Sequence, residues 1–305
     1  MKAMTKRTGA ILAIAVYATI LLAAVGLFFG SAMRASAAGT NEGINYFYAE
    51  LANSQKAERF YNAFTTLNGN GSFKKNSVNF DLIENGVISS DDVQAYVDTG
   101  SAKLPIAFGA GRDAYLMDNP DLFYIDIYGV SVSAGTQNGK YVAFLDTSRT
   151  DTLYLDKTAN EAKITAAITA YETKLNEIIN GARTAGDTKA QIEYVNQYII
   201  EHTEYSFGTE IKNGAHVTKD SAAYISTAYG ALVNGEAICG GYAKAFKAVL
   251  DRLEIPCVCI QGYSMATGTS SYQPHMWNAV KLDGVWYAVD VTWNDTANKP
   301  ARWLL

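Results

Sequence analysis

The chain has few of the residues that usually announce a protein's chemistry. Cysteine occurs only at positions 239, 257 and 259, so no disulfide framework holds the fold. The three histidines, His202, His216 and His275, lie far apart without metal-ligand spacing, and no metal site is expected. Basic stripes are missing beyond the first few residues, and a net charge of −5 argues against nucleic-acid binding. There is no phosphate-cradling loop and no sign of a cofactor. Internal repeats and biased composition are absent too, which argues against a purely structural wall protein.

What remains is a globular composition. With 305 residues, 49% hydrophobic and 18% charged, the chain is long enough for two modest domains. At its start Lys2, Lys6 and Arg7 precede an apolar run from Ala10 to Phe29, followed by Ala35-Ser36-Ala37. This reads either as a signal peptide cleaved after Ala37 or as an uncleaved membrane anchor. Both readings place the rest of the protein outside the membrane, extracellular or at the cell surface, touching the membrane only through that segment if it is retained.

The expected layout is a leader over 1–37, a linker over 38–45, a mixed α+β domain over 46–185 and a second domain over 186–305. In the first domain, Tyr46–Leu67 reads as one helix, and Ser89-Ser90-Asp91-Asp92 as the start of another. Leu122–Tyr128 reads as a strand, with Tyr141–Leu145 as its antiparallel partner across an Asn138-Gly139 turn. Thr158-Ala-Asn-Glu161 matches a capping box opening a helix that ends at Gly181, and the next helix begins near Asp187. No constellation in this half looks catalytic. Its expected work is to scaffold, shield or select substrate.

The second domain holds the informative residues. From Gly240 to Leu253 apolar side chains recur at helical spacing, and Pro256 closes the element, so Cys239 falls at a helix N-terminus. Unpaired N–H groups and the helix dipole there favour a thiolate and a developing oxyanion. Gly240 and Gly241 are expected to leave the thiol open to substrate. Further on, Asp283-Gly284 predicts a tight hairpin joining His275–Leu282 to Val285–Trp293. That register pairs Leu282 with Val285, Trp277 with Asp290 and His275 with Thr292. It sets His275 and Asp290 on one face as diagonal neighbours, roughly 7–8 Å apart at the backbone. Cys257 and Cys259 share one face of a buried strand and read as packing residues. A thiol, an imidazole and a carboxylate so arranged are the parts of a nucleophile, its base and the group that orients the base.

These residues carry a resemblance. Tyr229–Phe246, Gly262-Tyr263, His275-Met-Trp-Asn278 and Asp283–Asp295 together resemble the bacterial transglutaminase-like superfamily of thiol enzymes, over roughly residues 190–295. The likeness implies a papain-like α+β core, in which the cysteine helix packs on an antiparallel sheet bearing the other two. It implies Cys239 as nucleophile, His275 as base and then acid, and Asp290 as orienter. Many relatives place an oxyanion donor some thirty residues before the cysteine, where Tyr205 stands; the alternative for Tyr205 is a core role. Tyr272, in the small-residue stretch before His275, reads either as a substrate contact or as part of a connector. Trp277, Trp286 and Trp293 are expected as walls or core. Relatives often continue past the point where Leu305 ends this sequence.

The expected partner is a protein or peptide substrate, with the cell wall as a candidate setting. The leading expectation is hydrolysis of peptide or amide bonds through a thioester. The alternatives are acyl transfer to a lysine amine, and a surface binding module without activity.

Overall fold

The computed structural model describes residues 46–51, 54–69, 79–147, 152–265 and 271–295. The leader, the linker and the last residues, for which expectations were given above, lie outside them.

Helix α1 (Tyr46–Glu50) and helix α2 (Gln55–Gly69) stand where one continuous helix was expected. Between them the Ser54 N–H bonds back to the Leu51 carbonyl, and the Asp118 carboxylate accepts the Phe47 N–H at 3.0 Å and the Tyr48 N–H at 2.8 Å, pinning the start of α1. Strand β1 (Asn79–Asp81) follows, then helix α3 (Ser90–Thr99), which starts where expected, with Ser89 and Asp92 forming a capping box. Helix α4 (Lys103–Asp118) went unforeseen, because Gly109 and Gly111 blur its pattern. Gly111 is there for contact: a Cβ would come within 2.4 Å of the Ala57 carbonyl oxygen on α2.

Strands β2 (Ser131–Gln137) and β3 (Lys140–Asp146) meet across Asn138 (φ 51°) and Gly139 (φ 72°), and β1 adds to the other edge of β3. The turn stands as expected but the partner does not. Leu122–Tyr128 forms turns, one bridge from Ile125 to Tyr154 and a 3₁₀ turn. Four consecutive buried residues, Leu122 to Ile125, explain this. They pack on all sides, with Phe123 stacked on Tyr229 at 4.6 Å, and a strand with one solvated face cannot do that.

Helix α5 (Glu161–Ala185) starts after Asn160, whose side chain caps the Lys163 N–H, two residues beyond the expected cap. It runs on past Gly181, where a Cβ would strike the Tyr194 hydroxyl at 2.0 Å. That glycine admits a neighbouring helix and does not end its own. The neighbour is helix α6 (Thr188–His202), capped by Asp187.

Strand β4 (Glu204–Tyr205), the hairpin β5 (Thr209–Lys212) and β6 (Ala215–Thr218), and a π-helical turn over Gly230–Asn234 lead to strand β7 (Glu236–Ala237). Next come helix α7 (Cys239–Arg252) and the antiparallel sheet of β8 (Cys257–Met265), β9 (Tyr272–Leu282) and β10 (Val285–Val289), with β9 in the centre. Helix α8 (Val291–Asn294) closes the described chain. The fold is α+β, with the cysteine helix laid on the antiparallel sheet. One apolar cluster, reaching from Leu51 to Val291, continues across the turn at residues 185–188.

Candidate active site

Cys239 is the first residue of α7, and Ile238 precedes it in extended conformation. The helix forms because Tyr242, Phe246, Val249 and Leu250, all buried, recur on one face. The two glycines after the thiol do not open the site, contrary to the sequence expectation. Both are buried, and a Cβ on Gly241 would meet the Ile225 oxygen at 2.6 Å and Ala237 at 2.7 Å. Gly241 lets the helix start sit tightly against the preceding chain, whereas a Cβ on Gly240 would make only ordinary contact with Ser226. Cys239 itself is half-buried, whereas Cys257 and Cys259 are fully buried on one face of β8.

His275 and Asp290 come from the hairpin. Asp283 (φ 51°) and Gly284 (φ 82°) make the turn, and Leu282 pairs with Val285 as the sequence implies. The expected pairing of His275 with Thr292 does not occur, since β10 ends at Val289 and the chain turns into α8. Asp290 is the reason: its Oδ1 accepts the Trp293 N–H at 3.0 Å and caps the new helix. That leaves Oδ2 to receive the His275 Nε2–H at 2.6 Å. An Asp followed by three residues and a reversal was the available signal, masked by the β-rich Val-Thr-Trp.

Cys239 lies close enough to the His275 ring to act on it electrostatically. Burial works against the imidazolium, but the bond to Asp290 and the charges of Asp290 and Cys239 outweigh it. His275 is raised to about 9 and is cationic at neutral pH. Its ring lies near-parallel to two indoles, Trp293 at 5.3 Å and Trp277 at 5.9 Å. Gly262, opposite His275 on β8, makes room for Trp277, because a Cβ there would lie 2.6 Å from the indole. The stacking of Trp293 on the imidazole followed from no sequence signal, as it depends on the turn at Asp290. Trp286 sits apart from the trio, under Tyr46 at 6.3 Å and Lys281 at 5.9 Å.

Tyr205 reaches the thiol through a parallel pairing that the sequence could not show: β4 lies beside β7, setting Tyr205 opposite Ala237. Its ring edge is exposed while its hydroxyl is enclosed. Enclosure and the charge of Cys239 raise the phenol, and a hydrogen bond from the Cys239 backbone N–H opposes the rise. Tyr205 therefore stands beside Cys239. Tyr272 is different. It stands 67% exposed at the start of β9, opposite Met265, and no hydrogen bond or ring contact among the described residues ties it to the trio. Asn278 points inward, donating to the Ala243 and Val258 carbonyls. No group of three potential metal ligands occurs among the described residues.

A cysteine at a helix start, beside a histidine that an aspartate holds from a neighbouring strand end, is the arrangement of a thiol enzyme. Residues 173–291 match the family described as the transglutaminase-like superfamily, and this part of the chain is a transglutaminase-like core domain. Among curated proteins the chain is similar to the kyphoscoliosis peptidase of Mus musculus, at 30% identity over 39% of this chain and 18% of that protein. The kyphoscoliosis peptidase of Homo sapiens matches at 32% identity over 32% of this chain and 14% of that protein. The chain thus spans less than a fifth of the length of either relative. Among solved structures it is similar to a TGase, at 18% identity and a TM-score of 0.34, covering 57% of this chain and 48% of that one.

Proposed function

We propose that the protein is an exported cysteine-dependent hydrolase acting on peptide or amide bonds of a protein or peptide substrate. The observation that carries this reading is the meeting of Cys239, at a helix start, with His275, which Asp290 holds at 2.6 Å, and with Tyr205. In the resting site the imidazolium of His275 stands beside Cys239. The sulfur attacks the substrate carbonyl, and its oxygen takes the Cys239 N–H and the Tyr205 O–H as partners. His275 then passes its proton to the departing amine, and the C–N bond breaks as the thioester forms. Neutral His275 next removes a proton from water, which attacks the thioester and releases the acid and the thiol. Asp290 holds the ring so that the same nitrogen serves both steps.

Acyl transfer to an amine uses the same groups, and the core family includes both outcomes. Hydrolysis is favoured because an acyl-enzyme open to water at roughly 55 M loses to it unless an amine is held in place. The test gives the full chain a glutamine-containing protein and a fluorescent amine. Release of peptide or ammonia faster than amine incorporation is expected, and the reverse would make the protein a cross-linking acyltransferase.

A further inference from the structure

The thiol does not rest on the main core. It packs on a separate apolar patch of four buried residues, Met117, Ala243, Cys259 and Met276. Of the partly buried apolar side chains among the described residues, Phe47 packs on the same patch as Cys239; it also touches the main core and comes from outside the family-matched region. Phe47 is half-buried, as Cys239 is, so each keeps an open side while sharing the same floor. Two of the four floor residues are methionines, whose flexible thioethers fit apolar side chains of varied shape.

The position of Phe47 is fixed by its backbone. Asp118, 4% exposed at the end of α4, accepts the N–H groups of Phe47 and Tyr48 and a bond from the Tyr61 hydroxyl at 3.2 Å. Beside it, Tyr46 packs edge-on against Trp286 of β10, the strand that leads to Asp290. Helix α1 is therefore tied both to the first half of the chain and to the sheet bearing the imidazole. A phenyl ring held this firmly needs no ordering when substrate arrives.

From this arrangement, and resting on the hydrolase reading above, we infer that Phe47 is a specificity-determining wall of the substrate cleft, favouring an apolar side chain beside the carbonyl that Cys239 attacks. The first half of the chain thereby selects substrate for the second.

The test measures labelling of Cys239 in the full chain by two peptidyl chloromethyl ketones, one carrying phenylalanine and one alanine next to the reactive carbon. The native protein is expected to prefer the phenylalanine probe by about tenfold, the usual worth of a filled apolar pocket. Phe47→Ala should erase the preference and Phe47→Leu keep most of it, with the iodoacetamide rate of Cys239 unchanged in both. An undiminished preference in Phe47→Ala would overturn the inference, as would a parallel fall in the iodoacetamide rate, which would mean that Phe47 only supports the fold. Should iodoacetamide label Cys239 no faster in the native protein than in His275→Ala, the thiol-enzyme reading itself fails and takes this inference with it.

Discussion

Helix α7 carries ionisable clusters at both ends, and they do different work. At its start Cys239, His275 and Asp290 meet beside a half-buried sulfur. Two turns on, Lys247 is fully buried and holds Asp251 at 2.8 Å and the Cys257 carbonyl at 3.1 Å. Both ends titrate abnormally. Burial pushes Asp251 up to about 7 and Asp118, near Lys247, up to about 6, against the counter-pull of the ammonium. A polar hollow of about 360 Å³ even lies at this second end, lined by residues including Asp118, Asp121, Asp251 and Arg252. It contains no nucleophile and lies away from Cys239. A shifted pKa and a hollow therefore do not mark the chemistry here. What marks it is a reachable nucleophile with a base aimed at it.

The comparison breaks most readily at the first end. Cys239→Ala and His275→Ala are each expected to lower kcat by about 10⁴-fold or more with the fold intact, because nucleophile and base act as a unit. Asp290→Asn should keep at least about tenfold more turnover than His275→Ala, since it disturbs orientation and tautomer and leaves the proton carrier in place. Steady-state kinetics with far-ultraviolet circular dichroism checks both. Near-normal turnover in His275→Ala would place the base elsewhere.

At the second end the expected loss is in stability. Lys247→Ala leaves Asp251 buried without its cation and should cost about 3–5 kcal/mol in urea denaturation. Iodoacetamide labelling of Cys239 in the folded fraction should be unchanged. A thiol rate that followed the stability would show the two ends to be one unit.

Thiol reactivity sharpens the contrast further. Cys239 should be the one cysteine alkylated at neutral pH, since burial raises Cys259 to about 11 and Cys257 well above its ordinary value. Peptide mapping after brief labelling decides this, and equal labelling of Cys257 would remove the distinction.

The remaining expected effect is on pH dependence. Asp118 and Asp251 are raised on folding from 3.8 to about 6 and about 7, so the folded state holds more protons than the unfolded between those values. Their contribution is whole below pH 3.8 and lost as pH rises through 6 and 7. His275, raised from 6.5 to about 9, extends the same loss upward. The urea midpoint should therefore fall from pH 5 to pH 9. A rising midpoint would mean that these burials are relieved in solution.

Legibility in the sequence followed the range of each interaction. The Asp283-Gly284 turn fixed the hairpin register, and the apolar spacing after Gly240 set Cys239 at a helix start. These are local features, decided within a few residues by backbone sterics and side-chain periodicity. The first half misled where glycines served contact, as at Gly111 and Gly181, and where the apolar run Leu122–Ile125 packed on every side.

By itself, then, the sequence determined the elements that carry Cys239 and His275 and the resemblance that goes with them. Only the tertiary structure decided that Tyr205 stands beside Cys239, through the pairing of β4 with β7, and that Asp290 caps a helix with one oxygen while holding His275 with the other. It also brought Phe47 to the floor on which Cys239 rests, across nearly two hundred residues of chain. Such contacts depend on which distant surfaces pack together, and that choice belongs to the whole core and not to any stretch of it.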